Sequence, residues 1–360
     1  RTSSWRSPEG ICAMSDAARP SPLVQLTLVR IREYTREPEA LFWVFVFPVL
    51  MALGLGVAFR SPANPPIRVG IDTRARGETV RATLEGTPGF EVRDVAPERV
   101  EAALRDGEVH IVVAPGDPPV YRFDPTRAES RLARLAVDDA LQRADGRADR
   151  WAARDERVVS PGSRYIDWLV PGLLGMNIMA TSLWGVSFSI VQTRVRKLLK
   201  RLVATPMRRG DFLASQLVGR LIFLVPETAT LLVFSWLVFG VRIRGSLGLV
   251  AALCVLGAVS SAGLALLVAA RAKTVEAVSG LLNLVMLPMW VLSGVFFSSA
   301  NFPAAMQPFI KALPLTAMND AVRAVMLEGA SLGGITLEAG ILIAWAVASF
   351  GLALRLFRWL

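Results

Sequence analysis

LFWVFVFPVLMALGLGVAF, residues 41–59, runs nineteen positions without a charged side chain. A helix needs about twenty mostly apolar residues to cross the hydrocarbon core of a bilayer, so this stretch reads as a membrane span. Five further apolar runs follow, at about 166–192, 212–240, 247–270, 275–297 and 337–356. Six spans would return the C-terminus to the side of the N-terminus.

Composition points the same way. Hydrophobic residues make up 53% of the 360 and charged residues 19%, where a soluble domain carries about a quarter charged. An intracellular soluble enzyme is excluded. The net charge of +10 is unevenly placed: residues 60–165 hold 18 arginines against 18 acidic side chains, and the other 254 residues hold 22 basic and 12 acidic. The excess sits at the ends of the apolar runs, where membrane topology needs it, and that argues against nucleic acid as a partner.

The loop charges orient the chain. Arg19, Arg30, Arg32 and Arg36 precede the first span; Arg194, Arg196, Lys197, Lys200, Arg201, Arg208 and Arg209 lie between spans two and three, opposed by Asp211. Arg271 and Lys273 follow span four, and Arg355 and Arg358 end span six, whereas the other side has Arg242 and Arg244, then Lys311 and Arg323 balanced by Asp320 and Glu328. The bias predicts that both termini are cytoplasmic. The chain opens on Arg1 and its first methionine is Met14. We expect residues 1–13 to be non-native and residues 1–20 to be a disordered tail. Residues 21–37, in which Leu23, Leu26, Val29 and Ile31 alternate with Gln25, Arg30 and Arg32, read as a cytoplasmic amphipathic helix, either lying on the membrane or simply leading into the first span, 38–59.

The polar insert, 60–165, is then extracytoplasmic. IRVGI (67–71), FEVRDV (90–95), VHIVVA (109–114) and 120–123 read as strands, with helices over 78–84, 97–105 and 126–147, the last with Ala128, Leu132, Leu135, Val137 and Leu141 on its apolar face. The expected fold class is a mainly α membrane protein: six transmembrane helices, with a small α/β domain on a mixed sheet between helices one and two. Residues 166–360 would form the five-helix remainder.

Several chemistries find no support. None of the four lysines follows a glycine, so the Gly-rich phosphate loop of nucleotide binders is not in this sequence. The one histidine, His110, and two distant cysteines, Cys12 and Cys254, offer neither a metal site nor a disulfide framework. No cofactor and no catalytic residue is expected on the chain.

The most specific stretch is TRVRKLLKRLVATP, 193–206. Val195, Leu198, Leu199 and Leu202 share a side, Arg194, Lys197, Lys200 and Arg201 project elsewhere, and Pro206 stops the helix. Positive-inside anchoring explains the charge but not an extra helix; a helix across the cytoplasmic face, open to a partner, explains both.

Taken with PEALFWVFVFPVLMALGLGVAF (38–59), RYIDWLVPGLLGMNIM (164–179) and LSGVFFSSANFPAAMQPFIKALPLTAMNDAVRAVMLEG (292–329), the stretch LLKRLVATPMRRGDFLASQLVGR (198–220) resembles the permease subunits of type-2 ABC exporters, the ABC-2 membrane family. The resemblance covers nearly the whole chain from about Val24. It implies a dimer of six-span permeases, identical or paired with a different one, over two ATPase subunits that carry the ATP and Mg. The coupling helix maps to 193–205, with Arg194, Arg196, Lys197, Lys200 and Arg201 as its polar contacts. It also implies short re-entrant helices over 301–328; interfacial helices in an outer loop are the other reading of that Pro-punctuated stretch. The large insert places the chain nearer the drug-export branch than the compact polysaccharide exporters, so the expected cargo is a hydrophobic or amphipathic small molecule (drug, antibiotic or lipid).

Inside the spans, Arg220 and Glu227 lie seven apart, about two turns, and share a face. Glu227 either pairs with an Arg or caps backbone freed by Pro226, or it serves substrate or coupling. Asn283 and Pro288 mark a kinked fifth span at a dimer interface or pathway. Phe45, Phe47, Met176, Met179 and Met286 are the expected lining of a substrate path between spans one, two and five. Trp43, Trp168, Trp236, Trp290 and Trp345 read as interfacial anchors. Two rival functions stand beside this one: a membrane sensor or assembly protein working through its outer domain, and an ATP-independent secondary transporter, which would be expected to carry more midplane charge than Glu227.

Overall fold

The computed structural model describes residues 22–59, 65–73, 78–116, 118–148, 162, 164–198 and 209–356. The expected tail, 1–20, and residues 199–205 of the expected coupling helix, with Lys200 and Arg201, lie outside them. The chain divides into two compact units, residues 1–60 with 159–360, and residues 61–158.

Among the described residues, six helices of the first unit are long and apolar enough to cross a membrane: Pro38–Ala58, Tyr165–Val195, Gly210–Phe239, Leu247–Ala269, Val275–Leu292 and Leu332–Leu356. Spans two and four are the centre, with 72% and 67% of their apolar windows buried against 22% or less in the others. Span two is buried over nearly its whole length from Ile166 to Val191. Small residues let span four, with Gly257, Ala258, Ser261, Ala262 and Ala265 buried, approach its neighbours closely. Span five ends at Leu292 rather than near 297, because Gly294 takes a left-handed φ of +69° and turns the chain.

Prolines shape the spans locally. Pro48 has no N–H, so the carbonyl of Val44 loses its helical donor, and the helix widens into a π-turn over Phe42–Val46. Asn177 Nδ2 of span two donates to that Val44 carbonyl at 3.2 Å, as the rule that polar backbone at membrane depth must find a partner requires. A lead-in helix, Pro22–Thr35, packs on span three, with the rings of Tyr34 and Phe223 4.5 Å apart.

The second unit holds a four-stranded sheet in the order β2-β1-β3-β4, with β1 Ile67–Asp72, β2 Phe90–Val95, β3 Ile111–Ala114 and β4 Val120–Arg122. β1 pairs parallel to β2 and β3, and β3 pairs antiparallel to β4, so the sheet is mixed. Helices Glu78–Gly86, Val100–Arg105 and Ala128–Ala144 accompany it. Val69, Ile111 and Val113 form a core with Leu84, Ala133 and Val137, while Val112 packs with Val95, Val100 and Val109 in another. The longest helix corrects the expected apolar face. Ser130, Ala133 and Val137 are its buried line, and Leu132 and Leu135 are exposed, because the small side chains allow the closer approach to the sheet.

Candidate functional site

The second and third spans meet along polar residues. Arg220 Nη1 and Glu227 Oε2 are 2.7 Å apart, and both side chains are buried. Helical spacing puts the two on one face of the same helix. Span two completes the coordination: Arg220 Nε donates to Ser182 Oγ at 2.7 Å, Nη2 donates to the Ile178 carbonyl at 3.2 Å, and Thr181 Oγ1 donates to Glu227 Oε1 at 3.0 Å. One or two turns nearer the start of span three, Ser189 Oγ donates to Gln216 Oε1 at 3.1 Å. Thr181, Ser182 and Ser189 thus form a polar edge on span two, opposed by Gln216, Arg220 and Glu227 on span three. Beside it lies a half-open cavity of about 40 Å³, lined in part by Arg30 and Tyr34 of the lead-in helix. Burial pushes the Tyr34 hydroxyl up to about 12, leaving it a neutral donor.

A second buried polar group closes the other end of span two. The segment after span five is a broken series of short helices, Gln307–Ala312 and Pro314–Arg323, flanked by 3₁₀ and π turns. Almost every residue from Pro314 to Arg323 is buried. Asn319 Nδ2 donates to the Ser293 carbonyl at 3.0 Å, Arg323 Nη2 donates to the Gly294 carbonyl, and the Arg323 guanidinium lies 3.6 Å from the centre of the Trp168 ring. Trp168 is therefore a stacking platform for Arg323, where an interfacial anchor was expected. Trp345 Nε1 also finds an internal partner, the Ala312 carbonyl, at 2.8 Å.

The remaining expected site residues are spread out. Arg194 is half-buried and donates to the carbonyls of Ala269, Ala270 and Ala272 at the end of span four, satisfying groups a helix terminus leaves open. Arg196 and Lys197 are exposed, and Lys197 takes a left-handed φ of +57° that ends span two. Met176, Met179 and Met286 are in the hydrophobic core; Phe45 and Phe47 are half-buried. Asn283 is exposed on span five. Asn177, Asn319 and Arg323 were not anticipated. Polar positions at 177, 181 and 189 on one helical stripe, and the Asp320–Arg323 spacing inside an apolar stretch, were the available signals.

Known proteins resemble this chain in sequence. The family model of the ABC-2 type transporter matches residues 135–327. ABC transporter G family member 20 of Dictyostelium discoideum is 30% identical over 174 residues, covering 48% of this chain and 24% of that protein. Nodulation protein J of Bradyrhizobium diazoefficiens is 26% identical over 206 residues, and Nodulation protein J of Rhizobium meliloti 28% over 207; each match covers 55% of this chain and 75% of the relative. The chain thus spans about a quarter of the first relative and three quarters of the other two. With more than half of its length matched and six apolar helices around a polar seam, the chain is a multi-pass membrane protein that belongs to the ABC-2 type transporter family.

Proposed function

We propose that the chain is the permease subunit of an ABC exporter that moves a hydrophobic or amphipathic small molecule out across the bacterial inner membrane. Family membership carries this reading. ATP and Mg are bound on two copies of a separate ATPase subunit, as the family reading implies. Closure of the ATPases on ATP favours one permease arrangement through contacts that differ between the two states. The basic segment 193–205 is the docking element, with Arg196, Lys197, Lys200 and Arg201 as contacts. Arg194 belongs to the same set, and its guanidinium also donates to the Ala269 carbonyl at the end of span four. A second protomer completes the path, with Phe45 and Phe47 as the half-buried residues nearest to lining it, and both termini are cytoplasmic.

The test is co-purification with a candidate ABC ATPase in lipid nanodiscs, followed by ATP hydrolysis. A stable complex whose hydrolysis falls on Lys200→Glu/Arg201→Glu reversal is the expected result. Undiminished docking and hydrolysis in that variant would remove the coupling assignment, and failure to retain any ATPase would remove the exporter reading.

A further inference from the structure

Where span three gives way to span four, the chain forms a half-open cavity of about 290 Å³. Its walls are apolar, from Val170, Leu232, Ile243 and Met326, and its two exposed lining residues are Trp236 and Arg242. The connection that shapes it is held in place: Gly240 takes a φ of +67° to end the helix, the Arg244 and Gly245 N–H groups donate to the Met326 and Val325 carbonyls at 3.0 and 3.1 Å, and Ser246 caps span four. The volume lies at the lower edge of the roughly 300–1,000 Å³ usual for small-molecule sites.

Two observations point to an occupant. Ser235 lines the cavity, is 1% exposed, and its hydroxyl has no hydrogen-bond partner among the described residues. A buried unpaired hydroxyl costs about 1–3 kcal/mol, so a partner at that place is expected. Arg242 at the mouth and Arg244 two residues on are both exposed, and neither forms an ion pair among the described residues. They stand just beyond the last turn of a membrane span, beside an exposed Trp of the kind that settles at headgroup level. An apolar wall would do nothing for a free anion, and two arginines would do nothing for a neutral amphiphile.

We propose that this cavity holds one anionic phospholipid of the adjoining leaflet, its phosphate on Arg242 and Arg244, the start of an acyl chain against Leu232, Ile243 and Met326, and the Ser235 hydroxyl donating to an ester oxygen. The site is separate from the polar seam between spans two and three and does not depend on what the protein transports.

Native mass spectrometry of the full chain, released from nanodiscs of mixed phosphatidylcholine and phosphatidylglycerol, tests this. The wild type is expected to retain phosphatidylglycerol over phosphatidylcholine. Arg242→Gln, an exposed change that leaves the fold alone, should lower retention roughly fivefold, the scale of one basic residue at an anionic surface. Leu232→Trp, which fills the cavity but keeps the charge, should lower it as well, whereas the distant Lys273→Gln should not. Equal retention in wild type and both cavity variants would overturn the proposal. So would equal retention of the two lipids, or displacement of phosphatidylglycerol by inorganic phosphate, which would make the site one for a free anion. A change of oligomer mass in Leu232→Trp with lipid retained would make the cavity a contact between copies and overturn it too.

Discussion

Arg220 and Glu227 are a pair whose partners all come from two helices, and that decides what each substitution does. A single charge at the bilayer centre costs about 2.5–3.5 kcal/mol on insertion scales. Here the two charges neutralise each other, and Ser182, Thr181 and the Ile178 carbonyl fill three more hydrogen-bonding positions. Breaking a buried pair leaves an uncompensated charge, worth about 3–5 kcal/mol, whereas replacing both members by apolar residues is often neutral. Glu227→Gln is thus expected to lower the thermal unfolding temperature and the yield, and Arg220→Met/Glu227→Met to restore both. If the double variant folds and binds its ATPase but no longer transports, the pair serves coupling beyond stability. Glu227→Gln as stable as wild type would show that Arg220 has another counter-charge. That the two residues share a face was legible from their spacing alone. Ser182 and Ile178 as partners were not, because they belong to a different span and only tertiary packing brings them within 3.2 Å.

At the scale of elements, periodicity and length were enough to find the spans, since an apolar run of twenty residues has few alternatives. The break after span five was legible too, from Pro303, Pro308 and Pro314. What fills it was not: Arg323 looked like a loop charge beside Asp320, yet it is buried against Trp168 and the Gly294 carbonyl. That fit depends on Gly172 of span two, where a Cβ would come within 2.7 Å of the Val295 carbonyl. Backbone cannot step aside as a flexible side chain can. Gly172→Ala is expected to destabilise the protein by about 1–3 kcal/mol, as overpacking does, and an unchanged unfolding temperature would show that the segment yields. In the α/β unit the same lesson appears in reverse. The strands were legible within two residues, but the buried line of the helix Ala128–Ala144 went to small residues and not to Leu132 and Leu135.

His110 illustrates how one element of that unit is tied to its neighbour. Its ring Nδ1 accepts from the Arg68 backbone N–H at 3.2 Å, and its backbone N–H donates to the Arg68 carbonyl at 2.8 Å, so the residue just before β3 is tied to β1 by main chain and side chain together. Burial, and then the Arg68 charge, hold its pKa below the usual 6.5. The folded state therefore prefers the neutral ring, and protonation would turn the acceptor Nδ1 into a donor facing a donor. The stability this contributes is present above about pH 6.5 and is lost as pH falls through the folded value. Residues 61–158 expressed alone are expected to melt a few degrees lower at pH 5 than at pH 7, and His110→Asn should flatten that dependence. An equal slope in the variant would assign it to carboxylates instead.

At the scale of the whole molecule, the distribution of burial says what a single copy leaves unfinished. Spans two and four form the centre, while spans one, three, five and six show most of their apolar surface outward. Lipid can cover such surface, but it cannot satisfy an amide. Asn283 is exposed in the middle of span five, a turn and a half before Pro288, among the exposed Leu281, Leu284 and Leu287. An asparagine on an outward face at that depth is best satisfied by another helix, and the second copy proposed above would supply one. Hydrogen bonds of this kind between membrane helices are worth about 0.6–1.7 kcal/mol, roughly three- to twentyfold in a dissociation constant. Asn283→Leu is expected to weaken dimerisation in nanodiscs by that factor without shifting the unfolding temperature of the protomer, since the side chain supports nothing inside it. Dimer affinity equal to wild type would place the second copy on another face, and a lower unfolding temperature would mean that Asn283 has an internal partner after all.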